Sequence, residues 1–250
     1  TESGKSICGT YNQPVLVQKE RKQEWKRLDK VNIGDKIRVL PNIECRKKTL
    51  VRTNWKDYSY YHKNWHIKIP EFVDESLASL FGYIIADGWV TKYHVGFVVN
   101  KEEIDIVPQI KDTFKSCFNS DVTDYLHKGI PSIVYYQVNR SHLAKLLSFL
   151  KEKRVPNSIF QSKNSVVSSF LKWLYEGDGT VFSKGRGRLS VSLRSSSIEL
   201  LRDVQMLLLR FGIHSRILWE KREKVVTIKG RKVISRPSGT LMIRRPESVI

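Results

Sequence analysis

The sequence predicts an α+β protein assembled from two repeated αββαββ units, preceded by a small β-rich segment. Three observations carry that reading. An apolar helical stretch that runs into an acid and a glycine occurs twice, as Leu80-Phe81-Gly82-Tyr83-Ile84-Ile85-Ala86-Asp87-Gly88 and as Leu171-Lys172-Trp173-Leu174-Tyr175-Glu176-Gly177-Asp178-Gly179. The same order of strand-like and helix-like runs follows each copy, and a shared order of elements is far harder to reach by accident than a single motif. Asp87 and Asp178 are separated by about the length of chain that one such unit needs.

Composition bounds the partner. The 250 residues carry 44 Lys and Arg against 25 Asp and Glu, a formal charge of +19, so a polyanion is expected, with nucleic acid ahead of a membrane surface. The apolar runs are short and broken by charge, which argues against a membrane span. Cys8, Cys45 and Cys117 are odd in number and widely spaced, and no charged-then-apolar leader opens the chain. The expectation is a protein of a reducing, intracellular compartment that is not secreted and holds no zinc.

Residues 1–69 form the first division. Val15-Leu16-Val17 and Lys36-Ile37-Arg38-Val39 read as short strands, with Gly34 in a turn. From Arg46 to Pro70, Arg46, Lys47, Lys48, Arg52, Lys56, Lys63 and Lys68 interleave with Trp55, Tyr58, Tyr60, Tyr61 and Trp65, a pattern that suits phosphate contact with stacking or a linker docked by its aromatics.

Residues 70–160 form the first unit. Asp74 is its N-cap with Glu75 in the first turn, and Ala78, Gly82 and Ala86 line one face with small side chains, so a second helix approaches closely there. Strand-like runs follow over Val90 to Val99, where Lys92, His94 and Gly96 alternate with Tyr93, Val95 and Phe97. A helix carries Ile104, Val107, Ile110, Phe114 and Phe118, with Pro108 in its first turn. Strands at Val122 to Leu126 and Ile133 to Val138, parted by Lys128-Gly129, and a helix through Leu143 to Leu150 complete the unit.

Residues 161–250 repeat the order. The motif helix runs from about Val166 to Glu176, strands follow from Arg188 to Leu193, and a helix carries Leu200 to Phe211 up to Gly212. Strands at Arg216 to Trp219, Val225 to Ile228 and Thr240 to Ile243 finish it.

An Asp at the carbonyl end of a helix sits against the negative end of the dipole. Two such helices crossing on their small-residue faces bring Asp87 and Asp178 side by side, a repulsion that a divalent cation or a protonated carboxyl relieves. With the backbone carbonyls of Ala86 and Gly177 turned to the same place, the oxygen-rich set suits Mg²⁺ better than zinc. A single Asp-Gly is most often a helix cap; two in a repeated context reverse that judgement.

On this pair of motifs the chain resembles the LAGLIDADG homing endonucleases in their single-chain, two-motif form, over roughly Pro70 to Ile250. The resemblance implies two αββαββ units related by a pseudo-twofold, the motif helices at their interface and the sheets forming a saddle over double-stranded DNA. It implies metal-dependent cleavage of both strands at a long specific site by a monomer, with Asp87 and Asp178 as catalytic metal ligands, Mg²⁺ as the cofactor, and Mn²⁺ or Ca²⁺ able to substitute for binding. The family places a basic or polar residue from the strands beside each centre, and by position Lys101, with Asn100, fits the first unit and Arg194 the second. Two positions depart from the motif: Trp173 replaces a small residue, implying an asymmetric crossing, and Glu176 stands opposite Ile85 in a peripheral role.

In the second unit Arg186, Arg188, Ser190, Ser192 and Arg194 alternate with Gly187, Leu189, Val191 and Leu193, giving a basic and hydroxylic face suited to the major groove. Lys224, Lys229, Arg231 and Lys232 around Gly230 suit phosphate contact. Lys92, His94, Gln137 and Asn139 are the first unit's DNA-binding candidates.

Ahead of the units, Thr10-Tyr11-Asn12-Gln13-Pro14-Val15-Leu16 with Trp25, Leu28, Ile33 and Gly34-Asp35 resembles the second conserved block of inteins. Gln13 replaces the His of that block, and amide cannot shuttle protons as imidazole does. Thr1 and Ser248-Val249-Ile250 also depart from intein termini, so an active splicing element is disfavoured, while an intein remnant and an unrelated β unit stay open. The alternative to the nuclease is a nucleic-acid-binding LAGLIDADG-fold protein without cleavage, an intron-splicing maturase or a regulator.

Overall fold

The structure is a computed structural model that describes residues 1, 3–19, 22–39, 67–126, 130, 132–184, 188–220, 224–228, 231–235 and 237–243, with backbone alone at 183, 184, 188, 189, 224, 226–228, 231–233 and 235. Strands β1 (Pro14–Lys19), β2 (Lys22–Arg27) and β3 (Lys36–Ile37) make an antiparallel sheet in the order β2-β1-β3 that buries Val15 and Val17. The stretch ahead of it lies along the second unit: the Ser3 carbonyl accepts from Gln205 Nε2 at 2.9 Å and from the Ile217 amide at 3.3 Å. The basic and aromatic residues from Arg46 to Trp65 lie outside the described residues.

Helix α1 (Glu75–Asp87) begins where the Asp74 carboxylate accepts from the Leu77 amide at 2.8 Å. Nearly every side chain from Leu77 to Ala86 is buried, so α1 is a central helix covered on all sides rather than a surface helix with one apolar stripe. The first unit continues through β4 (Gly88–Val90), β5 (Val95–Asn100), α2 (Val107–Phe118), β6 (Thr123–Leu126), β7 (Ile133–Val138) and α3 (Ser141–Leu146). A short helix α4 (Asn157–Gln161) bridges to α5 (Asn164–Asp178), followed by β8 (Gly179–Lys184), β9 (Arg188–Ser195), α6 (Ile198–Arg210), β10 (Ser215–Glu220), β11 (Lys224–Ile228), β12 (Arg231–Ser235) and β13 (Ser238–Ile243).

The two units share one topology. Their four-stranded antiparallel sheets are ordered β4-β5-β7-β6 and β8-β9-β13-β10, the first two strands of each unit paired and the fourth inserted beside the second. The register matches residue by residue: Gly88 faces Phe97, which faces Tyr136, and Gly179 faces Leu193, which faces Leu241. The hairpin β11-β12 is an addition of the second unit, standing as its own two-stranded sheet between β10 and β13.

Several sequence expectations shift. Strand β8 begins at Gly179, immediately after the helix, with no turn signal ahead of it to reveal a strand, and β12 was likewise not expected. A run of 3₁₀ helix, Lys101–Ile106, precedes α2 and contains the non-helical Glu103, which breaks the helical phase; Ile104 is therefore exposed instead of joining the core with Val107 and Ile110. The helix expected through Leu143 to Leu150 similarly divides between α3, which ends at Leu146, and a 3₁₀ run, Ser148–Glu152. Lys128 and Gly129 lie outside the described residues.

Helices α1 and α5 meet more extensively than any other pair of helices among the described residues. Gly82 makes this possible: a Cβ there would overlap the Phe170 carbonyl oxygen and stand 3.0 Å from the Leu174 amide nitrogen, both backbone atoms of α5. Trp173, which takes the position of Gly82 in the second motif, is accommodated because its ring sits edge-on to Tyr83 (centroids 5.7 Å apart, 89°) rather than between the two backbones. At the N-terminal ends Glu75 accepts from Lys163 at 2.7 Å and from Ser165 at 2.6 Å, so the helices run in the same direction. Those two donors hold the Glu75 carboxyl down at about 2.

Replacing Gly82 with Ala forces two backbones apart, and equilibrium denaturation should show a loss of about 1–3 kcal/mol or more. Ser168→Ala on the exposed side of α5 is expected to stay within about 0.5 kcal/mol of wild type.

Candidate active site and nucleic-acid face

The two motif acids lie at the C-terminal ends of the crossed, parallel helices. Gly177 of α5 is pressed against α1: a Cβ there would lie 2.6 Å from the Ala86 Cβ and 2.7 Å from Asp87 Oδ2. The glycine that follows each acid serves the turn from helix into strand. A side chain on Gly88 would strike Ile84, and one on Gly179 would strike Tyr175, because the chain doubles back against its own last helical turn. The amides of Gly88 and Gly179 bond the carbonyls of Ile84 and Tyr175. The carbonyls one turn further on, including those of Ala86 and Gly177, are among the last four of each helix, which have no intrahelical partner.

Electrostatics single out this place. The Asp178 carboxyl is raised to about 6, first by desolvation and then by the charge of Asp87. Asp87 reaches solvent at the helix end, yet it too is raised, by the water that neighbouring backbone excludes from it and by Glu103. The cation that favours the ionised form of both acids is Lys153, a residue that sequence reasoning passed over. Lys153 ends the 3₁₀ run Ser148–Glu152, which packs on α1 and β4, and holds a left-handed backbone (φ 46°). Nothing in its local sequence marks it; only the path of the connection between the units brings it near the acids. Tyr83 is buried and its hydroxyl is raised, chiefly by desolvation and then by Asp87, Glu103 and Glu176. Glu176 itself is exposed.

Among the described residues, no group of three or more His, Cys, Asp or Glu side chains is close enough to hold a metal. The donor set for a cation is therefore two carboxylates and the neighbouring carbonyls of Ala86 and Gly177, with further oxygens needed from water or phosphate. A hard cation that keeps part of its hydration fits such a set, and the mutual repulsion of Asp87 and Asp178 is the feature it would relieve.

The basic residues are not symmetric partners. With Phe97 and Leu193 in equivalent register, the counterpart of Arg194 is Val98 and that of Lys101 is Ser197. Position before a helix suggested a matched pair; in this register β9 ends at Ser195 and β5 at Asn100, and Arg194 stands three positions ahead of Lys101's counterpart, so Arg194 lies within its strand and Lys101 just beyond β5. Lys101 is exposed after β5, its amide bonded to the Ser132 carbonyl at 2.9 Å. Ser197 caps α6 by accepting from the Leu200 amide at 3.1 Å, and Arg194 Nη2 donates to Ser238 Oγ at 3.1 Å.

On the sheets, Gln137 of β7 faces away from the core, between Gly96 and Thr123. Asn139 is exposed just beyond that strand. Lys92 is in the turn between β4 and β5, with its Nζ 5.3 Å from the Tyr93 ring, so it does not stand on a strand face as the alternation suggested. His94 is half-buried in the same turn, and its carbonyl accepts from the Thr91 hydroxyl and amide. Ser190, Ser192 and Arg194 share one face of β9, but Ser192 is buried, in register between Thr180 and Met242. Arg186 and Lys229 lie outside the described residues, as do the side chains of Arg188, Lys224, Arg231 and Lys232.

Comparison with known proteins was made on sequence and on structure. A model of the LAGLIDADG-like domain matches residues 165–238. Replicative DNA helicase DnaB of Rhodothermus marinus is 28% identical over 238 residues, covering 87% of this chain and 22% of that protein. Glutamine–fructose-6-phosphate aminotransferase of Methanocaldococcus jannaschii is 24% identical over 165 residues, 61% of this chain and 14% of that protein. Transcription initiation factor IIB of the same organism is 26% identical over 222 residues, 86% of this chain and 27% of that protein. The chain thus spans between 14% and 38% of the length of the curated relatives it matches here. Among solved structures, mesophilic variants of the homing endonuclease I-DmoI align at a TM-score of 0.47 and 20% identity over 68% of this chain and 89% of that one. Full-length DUF199/WhiA from Thermatoga maritima aligns at 0.46 and 16% over 68% and 51%. With the duplicated αββαββ units and the match of residues 165–238, the chain has the LAGLIDADG fold, and its second unit contains a LAGLIDADG-like domain.

Proposed function

We propose that the protein is a site-specific endonuclease that hydrolyses both strands of a long double-stranded DNA site with a divalent metal, acting as an intracellular monomer. The observation that carries this reading is the pair of carboxylates held together at like ends of two parallel helices, between two sheets, in a chain of charge +19. Asp87 and Asp178 would hold the metal, Mg²⁺ by preference with Mn²⁺ or Ca²⁺ able to take its place in binding, and the carbonyls of Ala86 and Gly177 would complete the protein's share of the ligands. The chemistry such an ion would supply is activation of water and charge stabilisation at the departing 3′ oxygen. The chain's own part is to present the acids ionised, with Lys153 favouring that form, and to set the duplex in register through phosphate contacts from the basic strands. Lys101, which follows β5, would assist the first centre; Ser197 stands at its counterpart in the second unit.

The relatives support an inserted origin. A helicase, an aminotransferase and a transcription factor have no common activity, yet each aligns with most of this chain over about a quarter or less of its own length. What they share with it is a segment, as expected of an element carried within unrelated hosts, and residues 1–69 are then an intein remnant. A second reading, a DNA-binding protein of this fold that does not cut, draws on one observation: Lys101, the basic residue that follows β5, has Ser197 at its counterpart in the second unit.

Incubating the protein with a library of long duplexes and Mg²⁺ tests the nuclease. Double-strand cutting is expected, with Asp87→Asn and Asp178→Asn each at least about 100-fold slower; either variant cutting both strands at the wild-type rate would exclude that acid, and binding with no cutting would select the second reading. A second expectation concerns pH. The folded-state pKa of Asp178 is raised, so this group favours folding below its unfolded pKa near 3.8, and the advantage is lost as pH rises through about 6. Metal-free Asp178→Asn should therefore melt above wild type at pH 7 to 8, and the two should converge near pH 4. Lys153→Met removes a charge that opposes the shift and should move the acid limb of the cleavage profile to higher pH.

A further inference from the structure

The outward faces of the two four-stranded sheets differ in chemistry. On the first, Trp89 lies over Gly96, where a Cβ would collide with the indole, and its ring meets Tyr135 at 5.5 Å and 64°. Tyr135 in turn stacks on Tyr125 across β6 and β7, centroids 5.2 Å apart and planes 9° apart. Gln137 stands next along β7 on the same face. No charged residue faces outward from the strands of this sheet among the described residues: Asp124 points to the helix side, where Lys111 pairs with it and lies over the Tyr136 ring. On the second sheet the outward positions are mixed and carry charge: Thr180, Ser190 and Thr240 are accompanied by Arg194, Arg216 and Glu220, with Phe182, Leu218 and Met242 on the same face.

These faces suit different base pairs. The two stacked tyrosines each cover one face of the other, so no base can stack between them, and what they present to a groove is ring edge tipped by a phenolic hydroxyl. That edge is matched by the C5-methyl of thymine in the major groove. Gln137 can pair bidentately with adenine N6 and N7, whereas an uncharged face has no donor fork for guanine O6 and N7. Arginine on the second sheet has that fork. We infer that the two halves of the saddle read opposite base pairs, the first sheet an A·T-rich half-site through Tyr125, Tyr135 and Gln137, and the second a G·C-containing half-site through its arginines. This rests on the duplex-DNA reading proposed above.

The test uses the full chain without divalent metal. Binding sites are selected from a randomised duplex library, and each half of the consensus is then remade with deoxyuridine for thymidine, which removes only the methyl. The expected result is an asymmetric consensus in which A·T pairs dominate one half and guanine enters only the other, and in which each lost methyl in the A·T-rich half weakens binding about fourfold. Gln137→Ala, with its melting temperature checked against wild type, should relax adenine preference about tenfold in that same half. Uridine substitution that is neutral in the A·T-rich half, guanine preferred equally in both halves, or guanine preference at the positions relaxed by Gln137→Ala would overturn the inference while leaving duplex binding intact. Recovery of no bound duplex would overturn it together with the DNA reading.

Discussion

The contact on which the rest of the structure depends is the backbone approach of α1 to α5 at Gly82. Helices packed through side chains keep 8–10 Å between their axes; removing the side chain where one backbone meets the other brings each unit's central helix against its neighbour's. Because the Glu75 pairing with Lys163 and Ser165 joins their N-terminal ends, the helices run parallel, and everything at one end of α1 has its like beside it. The same geometry that buries both helices therefore sets two negative dipole ends and two carboxylates together.

That arrangement explains why the acids are uncomfortable and why the site stays open. Desolvation dominates the rise of both pKa values, and charge from Asp87 or Glu103 adds to it. Lys153 offsets part of the cost from the connection between the units. The glycines after the acids matter for the same reason: they let each strand turn away at once, leaving the helix ends uncovered instead of buried beneath a loop.

Duplication followed by divergence accounts for the remaining asymmetries. The core registers stayed equivalent, since Phe97 and Leu193 must each fill the space beneath a central helix. Positions free of that duty differ: Lys101 against Ser197, an added hairpin in one unit, and an uncharged aromatic outward face against a mixed, charged one, while buried Ile85 stands opposite exposed Glu176. Trp173 opposite Gly82 is the exception within the interface, tolerated because its ring turns along Tyr83.

Much of this was legible in the sequence. The doubled helix ending in Asp-Gly, the order of elements behind each copy, the small-residue face of α1 and the Asp74 cap all follow from local periodicity and side-chain chemistry, which a chain carries whether or not it is folded. Strand β8 was missed because it follows its helix with no intervening loop, and Ile104 was misplaced because a 3₁₀ run shifts phase invisibly. What only tertiary structure decided were relations between residues distant in sequence: Lys153 beside both acids, the mismatch of Lys101 with Arg194, the burial of Ser192, and the contact of Gly177 with Asp87. Spacing along the chain determines which way a side chain faces within its own element; which other element lies there is decided by packing, and the chemistry of the site is made at those junctions.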